Sequence, residues 1–516
     1  MTPSRPAAAL VVLALAVTGC TTGGDRAADG PAASSPSVTA SGAGGTGSTA
    51  APDDPRLARF YDQEVSWRGC GEGFQCAQVE VPIDYARPAG KTIKLSVNRL
   101  RARGDNRIGS LLVNPGGPGA SGLGYARNAE SIVSDGLRRR FDIVGFDPRG
   151  VGESAPIRCL SDRQTDAFFA TDGSPDDAAE ETRLTRVSRG FGEQCAAKNG
   201  AVLGHVGTRD AARDLDVLRA VVGDSTLNFL GKSYGTYLGA IYADLFPDRV
   251  GRLVLDGVVD PAADTADLAR AQALGFETAL ASFVNDCLGR RSCPLSGGRA
   301  AALSQIGGML DAADRSPLKA SRPVGQSLAL LGVAYAMYEK GLWLILREAL
   351  GEARRGKGDL LLLLADSYTE RSRNGHYSTN TNDALYAVTC LDRPETSDRA
   401  AVRARAAELD KVAPRFGAFV AWGSFVCGSW PSPPEGRPAP VRARGAAPIL
   451  VVGTTRDPAT PYASARNLAA ELDAARLLTY DGDGHTAYRQ GSSCIDKEVD
   501  RYLLDGRLPA EDTRCR

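Results

Sequence analysis

The stretch TLNFLGKSYGTYLGAIYADLFPDRV, from Thr226 to Val250, decides the fold. A short apolar run that is typical of a buried strand leads directly into Gly-x-Ser-x-Gly around Ser233, and an apolar helical pattern follows as far as Pro247. This strand–turn–helix order is the setting of a nucleophile elbow, where a sharp turn exposes a serine hydroxyl. Glycines at 231 and 235 lack the Cβ atoms that would clash in such a turn. The pattern predicts Ser233 as the nucleophile of a serine hydrolase.

Strand-like and helical segments alternate on both sides of this stretch. The alternation predicts an α/β protein with a mostly parallel sheet and helices on both faces. Residues 260–440 contain long helical patterns without clear strands, so we expect a mainly helical cap inserted into the core. The predicted core therefore has two parts, residues 55–259 and residues 441–516.

The first residues have the character of an export signal. One positive charge precedes a short apolar run, and Val17–Cys20 resembles the lipobox of bacterial lipoproteins. We expect residues 1–20 to be a lipoprotein signal peptide and Cys20 to be lipidated, with a plain secretory signal as the alternative. Residues 21–54 consist almost entirely of small and polar residues and are expected to form a disordered tether. The predicted location is the outer face of the cell membrane, through the lipid anchor only, or the exterior.

The cysteine count supports export. The chain has 11 cysteines, and ten remain when Cys20 is set aside. An even number is expected for disulfide bonds outside the cytoplasm. Neighbours in the sequence suggest the pairs Cys70–Cys76, Cys159–Cys195, Cys287–Cys293, Cys390–Cys427 and Cys494–Cys515. Zinc binding is the competing use of these cysteines, but their short spacings lack a second nearby pair or histidine partners. We expect no metal.

Charge and composition limit the function classes. The chain has 61 basic and 61 acidic residues, so its formal net charge is zero and gives no general attraction for nucleic acid or acidic lipid headgroups. Its 43% content of hydrophobic residues is enough for a large core and excludes disorder of the whole chain.

A serine nucleophile needs a base and an acid. Of the three histidines, His485 follows a late strand, as the chain order Ser, Asp, His requires, whereas His205 and His376 fit surface or capping positions better. Asp457 follows the preceding strand and is the favoured acid. Asp256, at the end of an earlier strand, is the alternative acid.

The oxyanion of an acyl-transfer reaction needs two backbone N–H donors. Tyr234, directly after the nucleophile, is one candidate. The glycine-rich loop LLVNPGGPGASG at residues 111–122 offers the other, with Gly117 as first choice and Gly116 as second. A phosphate-binding loop is a weaker explanation, because the Gly-Lys-Ser/Thr ending is missing and two prolines remove N–H donors.

Several motifs together resemble one family. VEVPIDYARP, LLVNPGGPGASG, FDIVGFDPRGVGES, NFLGKSYGTYLGAIYADLFP and ILVVGTTRDPATPYASARNLA are similar to the exported tripeptidyl aminopeptidases of actinobacteria, a proline iminopeptidase-like branch of the α/β-hydrolase fold. The resemblance extends from about Trp67 to the C-terminus and is weakest in the cap. It implies Ser233, Asp457 and His485 as a triad under a helical cap, without a cofactor. It also implies release of short peptides, tripeptides by analogy, from free N-termini of peptide or protein substrates.

Recognition of a free N-terminus requires a carboxylate near the nucleophile. Glu153, Asp383 and Asp392 are the candidates, although each is individually more typical of a solvated or helix-capping acid. Two other functions remain open: a serine esterase or lipase with the same triad, and a catalytically inactive binding lipoprotein. Nucleophile, base, acid and glycine loop occur together, which argues against the inactive protein.

Overall fold

A mixed sheet of ten strands organises the computed structural model, which describes residues 54–516. The strands are β1 (Arg68–Gly69), β2 (Gln75–Pro82), β3 (Thr92–Leu100), β4 (Gly109–Asn114), β5 (Phe141–Phe146), β6 (Leu227–Lys232), β7 (Val250–Asp256), β8 (Ile449–Arg456), β9 (Ala475–Asp483) and β10 (Arg514–Cys515). Their order in the sheet is β1-β2-β3-β5-β4-β6-β7-β8-β9-β10. Strands β4 to β10 pair in parallel, and only the pairs β1–β2, β2–β3 and β3–β5 are antiparallel. The predicted α/β-hydrolase architecture is confirmed.

Helices cover both faces of this sheet. The core helices are α1 (Ala58–Tyr61), α2 (Gly122–Arg127), α3 (Ala129–Ile132), α4 (Asp135–Arg140), α7 (Thr208–Val221), α8 (Tyr234–Leu245), α17 (Tyr462–Glu471) and α18 (Ser493–Asp505). Successive strand residues point to opposite faces. On β7, Leu253 and Leu255 join the apolar cluster that contains α7 and α8, whereas Val254 joins the cluster that contains α4 and α18. The central strands are therefore buried on both sides.

A second group of helices lies between β7 and β8. They are α9 (Thr265–Leu288), α10 (Arg299–Arg315), α11 (Gln326–Tyr338), α12 (Trp343–Ala353), α13 (Asp359–Tyr368), α14 (Thr381–Asp392), α15 (Arg399–Asp410) and α16 (Gly417–Gly423). We call these eight helices the cap helices. Helices α9 to α13 bury an apolar cluster of their own, which includes Phe283, Leu346 and Leu362. The proposed domain boundaries at 259/260 and 440/441 remain a prediction, because the described residues lie within one compact unit.

Two helices between β5 and β6 are absent from the sequence-based prediction. They are α5 (Asp162–Phe169) and α6 (Ala178–Asn199). Helix α6 buries Phe191 and Cys195, and the ring of Phe191 lies 6.1 Å from that of Trp430, which follows the cap helices. The segment that contains α5 and α6 thus packs against the cap.

The predicted N-terminal features lie outside the described residues. This applies to the signal peptide at 1–20, to lipidation of Cys20 and to the tether at 21–54, apart from its last residue. Within residues 54–516, no helix combines the length and the apolar character that a bilayer span requires.

Five disulfide bonds connect the described cysteines. The structure joins Cys70–Cys76, Cys159–Cys195, Cys287–Cys293, Cys390–Cys427 and Cys494–Cys515, the same pairs that sequence neighbourhood suggests. Two of them hold cap helices: one closes the short segment after α9, and the other ties α14 to the turn that follows α16.

The two disulfides Cys390–Cys427 and Cys70–Cys76 are expected to contribute unequally to stability. They span 37 and 6 residues, and a longer closed loop removes more entropy from the unfolded chain. Replacing both members of Cys390–Cys427 by Ala should lower the free energy of unfolding by about 4 kcal/mol, against about 2 kcal/mol for Cys70–Cys76. Urea unfolding of the two double variants measures both losses. Equal losses would contradict the loop-length explanation.

Candidate active site

The turn between β6 and α8 holds Ser233 in a strained backbone conformation. Its φ of +55° and ψ of −125° are rare for a residue with a side chain. Helix α8 and its neighbours maintain this geometry: a Cβ on Gly231 would lie 2.3 Å from the carbonyl oxygen of Gly235. The N–H of Ser233 donates to the carbonyl oxygen of Asp256 at the end of β7 (3.0 Å). The Ser233 hydroxyl is thereby presented at the carboxyl edge of the sheet, as in a nucleophile elbow.

His485 and Asp457 come together at the same edge. Nδ1 of His485 lies 2.9 Å and 3.0 Å from the two carboxylate oxygens of Asp457. The Asp457 side chain is fully buried and also accepts backbone N–H bonds from Ala459, Thr460 and Thr486. These bonds fix the carboxylate, which in turn orients the imidazole and leaves its Nε2 facing away from Asp457.

The cap also holds His485. The backbone N–H of His485 donates to the carbonyl oxygen of Tyr338, the last residue of α11 (2.9 Å). The ring of Tyr338 meets the imidazole edge to face, with 5.1 Å between the ring centres. The position of this histidine therefore depends on cap helices as well as on the core.

Asp256, the alternative acid, has a different set of partners. Its buried carboxylate accepts N–H bonds from Ala487 (2.9 and 3.1 Å) and Tyr488 (2.9 Å). Nζ of Lys232 lies 3.9 Å away and donates to the carbonyl oxygen of Tyr488. Burial raises the pKa of Asp256, and the Lys232 ammonium opposes that rise. Asp256 thus anchors the loop that follows His485.

Two backbone N–H groups beside Ser233 suit an oxyanion. Tyr234 is the first residue of α8, and the first N–H groups of a helix have no acceptor within it. In the glycine-rich loop, Gly116 already donates to Oδ1 of Asn114 (3.0 Å), whereas the N–H of Gly117 finds no acceptor among residues 54–516. A Cβ on Gly116 would lie only 2.9 Å from Cβ of Ser233, which shows how closely this loop approaches the elbow. Gly117 is therefore the better donor of the two glycines.

A cavity of about 330 Å³ opens beside Ser233. Its walls are mainly apolar and aromatic and come from the core, from α9, α11, α14 and from α16. Asp392, at the end of α14, and Glu395 are the two carboxylates among the lining residues.

Asp392 is the only one of the three predicted amine ligands that lines the cavity. Glu153 is exposed and lies outside the lining. Asp383 also lies outside it, because its carboxylate accepts the backbone N–H of Cys159 (2.8 Å) and stabilises the loop before α5. The cavity lining therefore favours Asp392 over Glu153 and Asp383 as the amine ligand.

Asp392 lies within hydrogen-bond distance of the start of α7. Its carboxylate accepts the N–H (2.7 Å) and the Oγ1 hydroxyl (2.6 Å) of Thr208, whose hydroxyl lies 2.5 Å from the phenol oxygen of Tyr234. Thr208 is the first residue of α7, and Gly207 takes the N-cap position. Burial raises the pKa of Asp392 to about 6. No Lys or Arg side chain of residues 54–516 lies within ion-pair distance of this carboxylate.

Glu395 is a cavity residue that the sequence analysis missed. Arg405 binds its carboxylate with two nitrogens, at 2.7 and 3.3 Å, and Ser424 donates its hydroxyl to it (2.6 Å). Its charge is therefore neutralised within the cap. No local motif marks Glu395, since its position in the cavity depends on how α15 and α16 pack.

The other two histidines lie apart from Ser233. His376 is exposed and pairs with Asp162 (2.8 Å), while His205 lies 3.5 Å from Asp210. His205, Asp210 and Glu435 bring three possible metal ligands within 4.8 Å of one another. Arg213 already pairs with Asp210 (2.6 Å), which reduces the need for a cation there.

Known proteins resemble this chain over most of its length. A family model described as "TAP-like protein" matches residues 413–515. Serine protease Hip1 of Mycobacterium tuberculosis is 38% identical, with 90% of this chain and 92% of that protein covered. The chain belongs to the TAP-like family of α/β hydrolases. Two further members are carboxylesterase B of M. tuberculosis, 39% identical over 94% of this chain and 95% of the relative, and tripeptidyl aminopeptidase of Streptomyces lividans, 34% identical over 89% and 88%.

This TAP-like protein is a serine hydrolase. Its relatives carry the names of a serine protease, an aminopeptidase and an esterase, and all three are hydrolases. The relatives named as peptidases indicate peptide or protein substrates.

Proposed function

We propose that this protein is a serine exopeptidase that releases short peptides, tripeptides in the simplest case, from free N-termini. Ser233 is the nucleophile, His485 the base and Asp457 the orienting acid. The observation that carries the proposal is the strained elbow of Ser233 beside a cavity that cap helices help to line and that Asp392 also lines. The volume of this cavity, about 330 Å³, limits how many residues can precede the scissile bond.

Acylation follows from this arrangement. Oγ of Ser233 attacks the scissile carbonyl carbon while Nε2 of His485 takes the hydroxyl proton. The carbonyl oxygen becomes an oxyanion that the N–H groups of Gly117 and Tyr234 stabilise. When the C–N bond breaks, His485 returns the proton to the leaving nitrogen, so that the departing chain has a neutral amine and Ser233 bears the acyl group. Asp457 keeps the imidazole oriented and stabilises its charged form throughout.

Deacylation reverses these roles with water. His485 takes one proton from a water molecule, whose oxygen attacks the acyl carbon of the ester. The same two N–H groups stabilise the second oxyanion. Collapse of that intermediate returns the proton to Oγ of Ser233 and releases the N-terminal fragment as a carboxylic acid. The free enzyme is restored, and neither step of this reaction requires a cofactor.

Asp392 supplies the charge that recognises the substrate amine. It is buried and lines the cavity, and no Lys or Arg of residues 54–516 lies within ion-pair distance of it. The Arg393 guanidinium, which also lines the cavity, acts on it from farther away and opposes the rise of its pKa, whereas the neighbouring Glu395 is neutralised by Arg405. An ammonium group would compensate the buried carboxylate, and charge-assisted hydrogen bonds between such groups are strong. The Thr208 hydroxyl, which donates to Asp392, also lies 2.5 Å from the phenol oxygen of Tyr234. The backbone N–H of the same Tyr234 is the proposed oxyanion donor. Binding of the amine thus aligns the substrate with the reacting groups.

A panel of three chromogenic substrates tests the proposed activity. They are a tripeptide anilide with a free amine, the same anilide after acetylation, and a short acyl ester. We expect cleavage of the free-amine anilide and little cleavage of the acetylated one, because acetylation removes the charge. Cleavage of both anilides at equal rates would exclude recognition of the N-terminus, and cleavage of the ester alone would exclude the peptidase.

Replacing Asp392 by Asn should raise KM for the free-amine anilide by about 10- to 100-fold, since one charge-assisted contact is lost. The advantage of the parent enzyme over this variant should be greatest between about pH 6 and pH 8, where the Asp392 carboxyl with its pKa of about 6 is ionised and the substrate amine is still charged. It should shrink as the pH falls below 6, because a neutral carboxyl attracts the ammonium weakly. The parent-to-variant ratio of kcat/KM against pH measures this.

Asp383→Asn is the matched control for this prediction. It removes a carboxylate of the same helix, α14, that lies outside the cavity. We expect KM to stay unchanged in this variant even if its stability falls. If both variants raise KM alike, Asp392 is not the amine ligand.

An esterase is the second candidate function. The relative named carboxylesterase B is 39% identical, and the cavity beside Ser233 is mainly apolar. An ester needs no ammonium pocket, so its hydrolysis should be insensitive to Asp392→Asn. Faster hydrolysis of the acyl ester than of the tripeptide anilide, with no effect of Asp392→Asn on either, would favour this function.

We also propose that the protein acts outside the cytoplasm. Five disulfide bonds within residues 54–516 support this location, because such bonds persist in oxidising surroundings. Lipidation of Cys20 would hold the enzyme at the outer face of the cell membrane. Metabolic labelling with a lipid precursor, compared between the parent and Cys20→Ala, tests the anchor.

A further inference from the structure

A second cavity, of about 460 Å³, lies beside His485. Tyr338 lines both cavities, whereas Ser233 lines the first and His485 lines the second. We call the second one the histidine-side cavity. Its wall includes Lys340 and Gly341 from the cap and the ends of β8 and β9 from the core. Each cavity therefore borders one of the two proposed reacting residues, and Tyr338 borders both cavities.

The chemistry of acyl transfer gives the two sides different roles. Nδ1 of His485 is held by Asp457, so Nε2 must deliver the proton to the leaving nitrogen. The leaving nitrogen and the chain attached to it must then lie next to the imidazole. The acyl part lies on the Ser233 side, where Asp392 provides the charge for its amine.

The wall of the histidine-side cavity is firmly built. Asp483 accepts hydrogen bonds from Nε of Arg456 (2.6 Å) and from the hydroxyl of Ser282 on α9 (2.5 Å). Nζ of Lys340 lies 3.7 Å from the same carboxylate, and 60% of the Lys340 side chain is exposed. Arg456 also donates to Asp481 (3.0 Å). Core and cap thus enclose a polar space with donors and acceptors, as an extended peptide backbone requires.

We infer that the histidine-side cavity binds the polypeptide on the C-terminal side of the scissile bond, which leaves as the amine product. This inference rests on the proposed exopeptidase activity. The acyl cavity has little room beyond a short N-terminal segment, whereas the histidine-side cavity receives the longer remainder. The enzyme should therefore gain catalytic efficiency when a peptide extends beyond the scissile bond.

Gly341 provides a direct test. It lines the histidine-side cavity, and a Cβ added to it would meet no atom within 4 Å. The variant Gly341→Phe adds a bulky ring at this wall, and its Cβ has open space. Gly308→Phe is the matched control, because Gly308 is exposed on α10, lines neither cavity and also has open space around an added Cβ.

The experiment compares two substrates with the same N-terminal tripeptide. One is the tripeptide anilide, and the other is a hexapeptide in which three further residues follow the scissile bond. We expect Gly341→Phe to lower kcat/KM for the hexapeptide by at least about tenfold relative to the anilide, since contacts along the leaving chain are lost. Gly308→Phe should leave the ratio of the two kcat/KM values unchanged.

The outcomes separate the two proposals. If Gly341→Phe changes kcat/KM equally for both substrates, or for neither, the assignment of the histidine-side cavity is wrong and the exopeptidase proposal stands. If the parent enzyme cleaves neither the hexapeptide nor the anilide, the proposed function fails, and the assignment that rests on it fails too. Melting temperatures of the two Phe variants close to that of the parent verify that the fold is intact.

Discussion

Ser233→Ala is expected to lower kcat for the tripeptide anilide by about 10⁶-fold, because without Oγ no acyl-enzyme forms. Alanine retains the Cβ and should tolerate the φ of +55° as well as serine does, so the elbow keeps its shape. The melting temperature should stay close to that of the parent. The loss therefore reports chemistry rather than unfolding.

Two measurements check this result. Steady-state kinetics give the loss in kcat, and a fluorophosphonate probe should label the parent covalently but not Ser233→Ala. The control is Ser131→Ala, which removes an exposed hydroxyl that donates only to the carbonyl oxygen of Asn128 (2.9 Å). It should keep full activity. Retention of more than about 1% of kcat in Ser233→Ala would mean that another nucleophile acts.

The second large effect distinguishes the two carboxylates that compete for the role of acid. Asp457→Asn should lower kcat by about 10⁴-fold, because an amide cannot hold the Nδ1–H tautomer of His485 that the reaction needs. The backbone bonds of Ala459 and Thr460 to Oδ1 can persist with the remaining amide oxygen. The N–H of Thr486 donates to Oδ2 and loses its acceptor, so we expect a moderate loss of stability, about 1 to 3 kcal/mol.

Asp256→Asn should show the reverse pattern. The substitution leaves the buried Lys232 without its negative partner, and breaking a buried pair costs about 3 to 5 kcal/mol of folding free energy. Its kcat per folded molecule should change far less than that of Asp457→Asn, because Asp256 contacts backbone N–H groups after His485 and not the imidazole.

Urea unfolding measures the stability of both variants and gives the folded fraction by which each kcat is divided. The proposed triad requires the large kinetic loss in Asp457→Asn and the large stability loss in Asp256→Asn. A large kinetic loss in Asp256→Asn, together with a small one in Asp457→Asn, would make Asp256 the acid of the triad.

Much of the candidate site is predictable from local sequence. Ser233, Asp457 and His485 each follow a strand-like run, and parallel strands bring their carboxyl ends to one edge of the sheet. Knowing the strands is therefore enough to expect these side chains to be neighbours. The five cysteine pairs are similarly local, since each joins residues at most 37 positions apart.

The recognition part of the site is not predictable in the same way. Asp383 and Asp392 lie on one helix and look equally suitable in the sequence, yet only Asp392 lines the cavity. No sequence pattern indicated Glu395 or the contact between Thr208 and Tyr234. Each depends on the direction in which a cap helix meets the core.

Sequence alone thus specified the α/β sheet, the elbow at Ser233 and the order of nucleophile, acid and base, because strand patterns and turn glycines act over a few residues. Tertiary structure decided which carboxylate lines the cavity, which glycine N–H is free for an oxyanion, and that Tyr338 lines two cavities. These features arise from contacts between segments far apart in the chain, such as Asp392 with Thr208 and Tyr338 with His485. Side-chain packing between cap and core sets those contacts, and no local pattern encodes it.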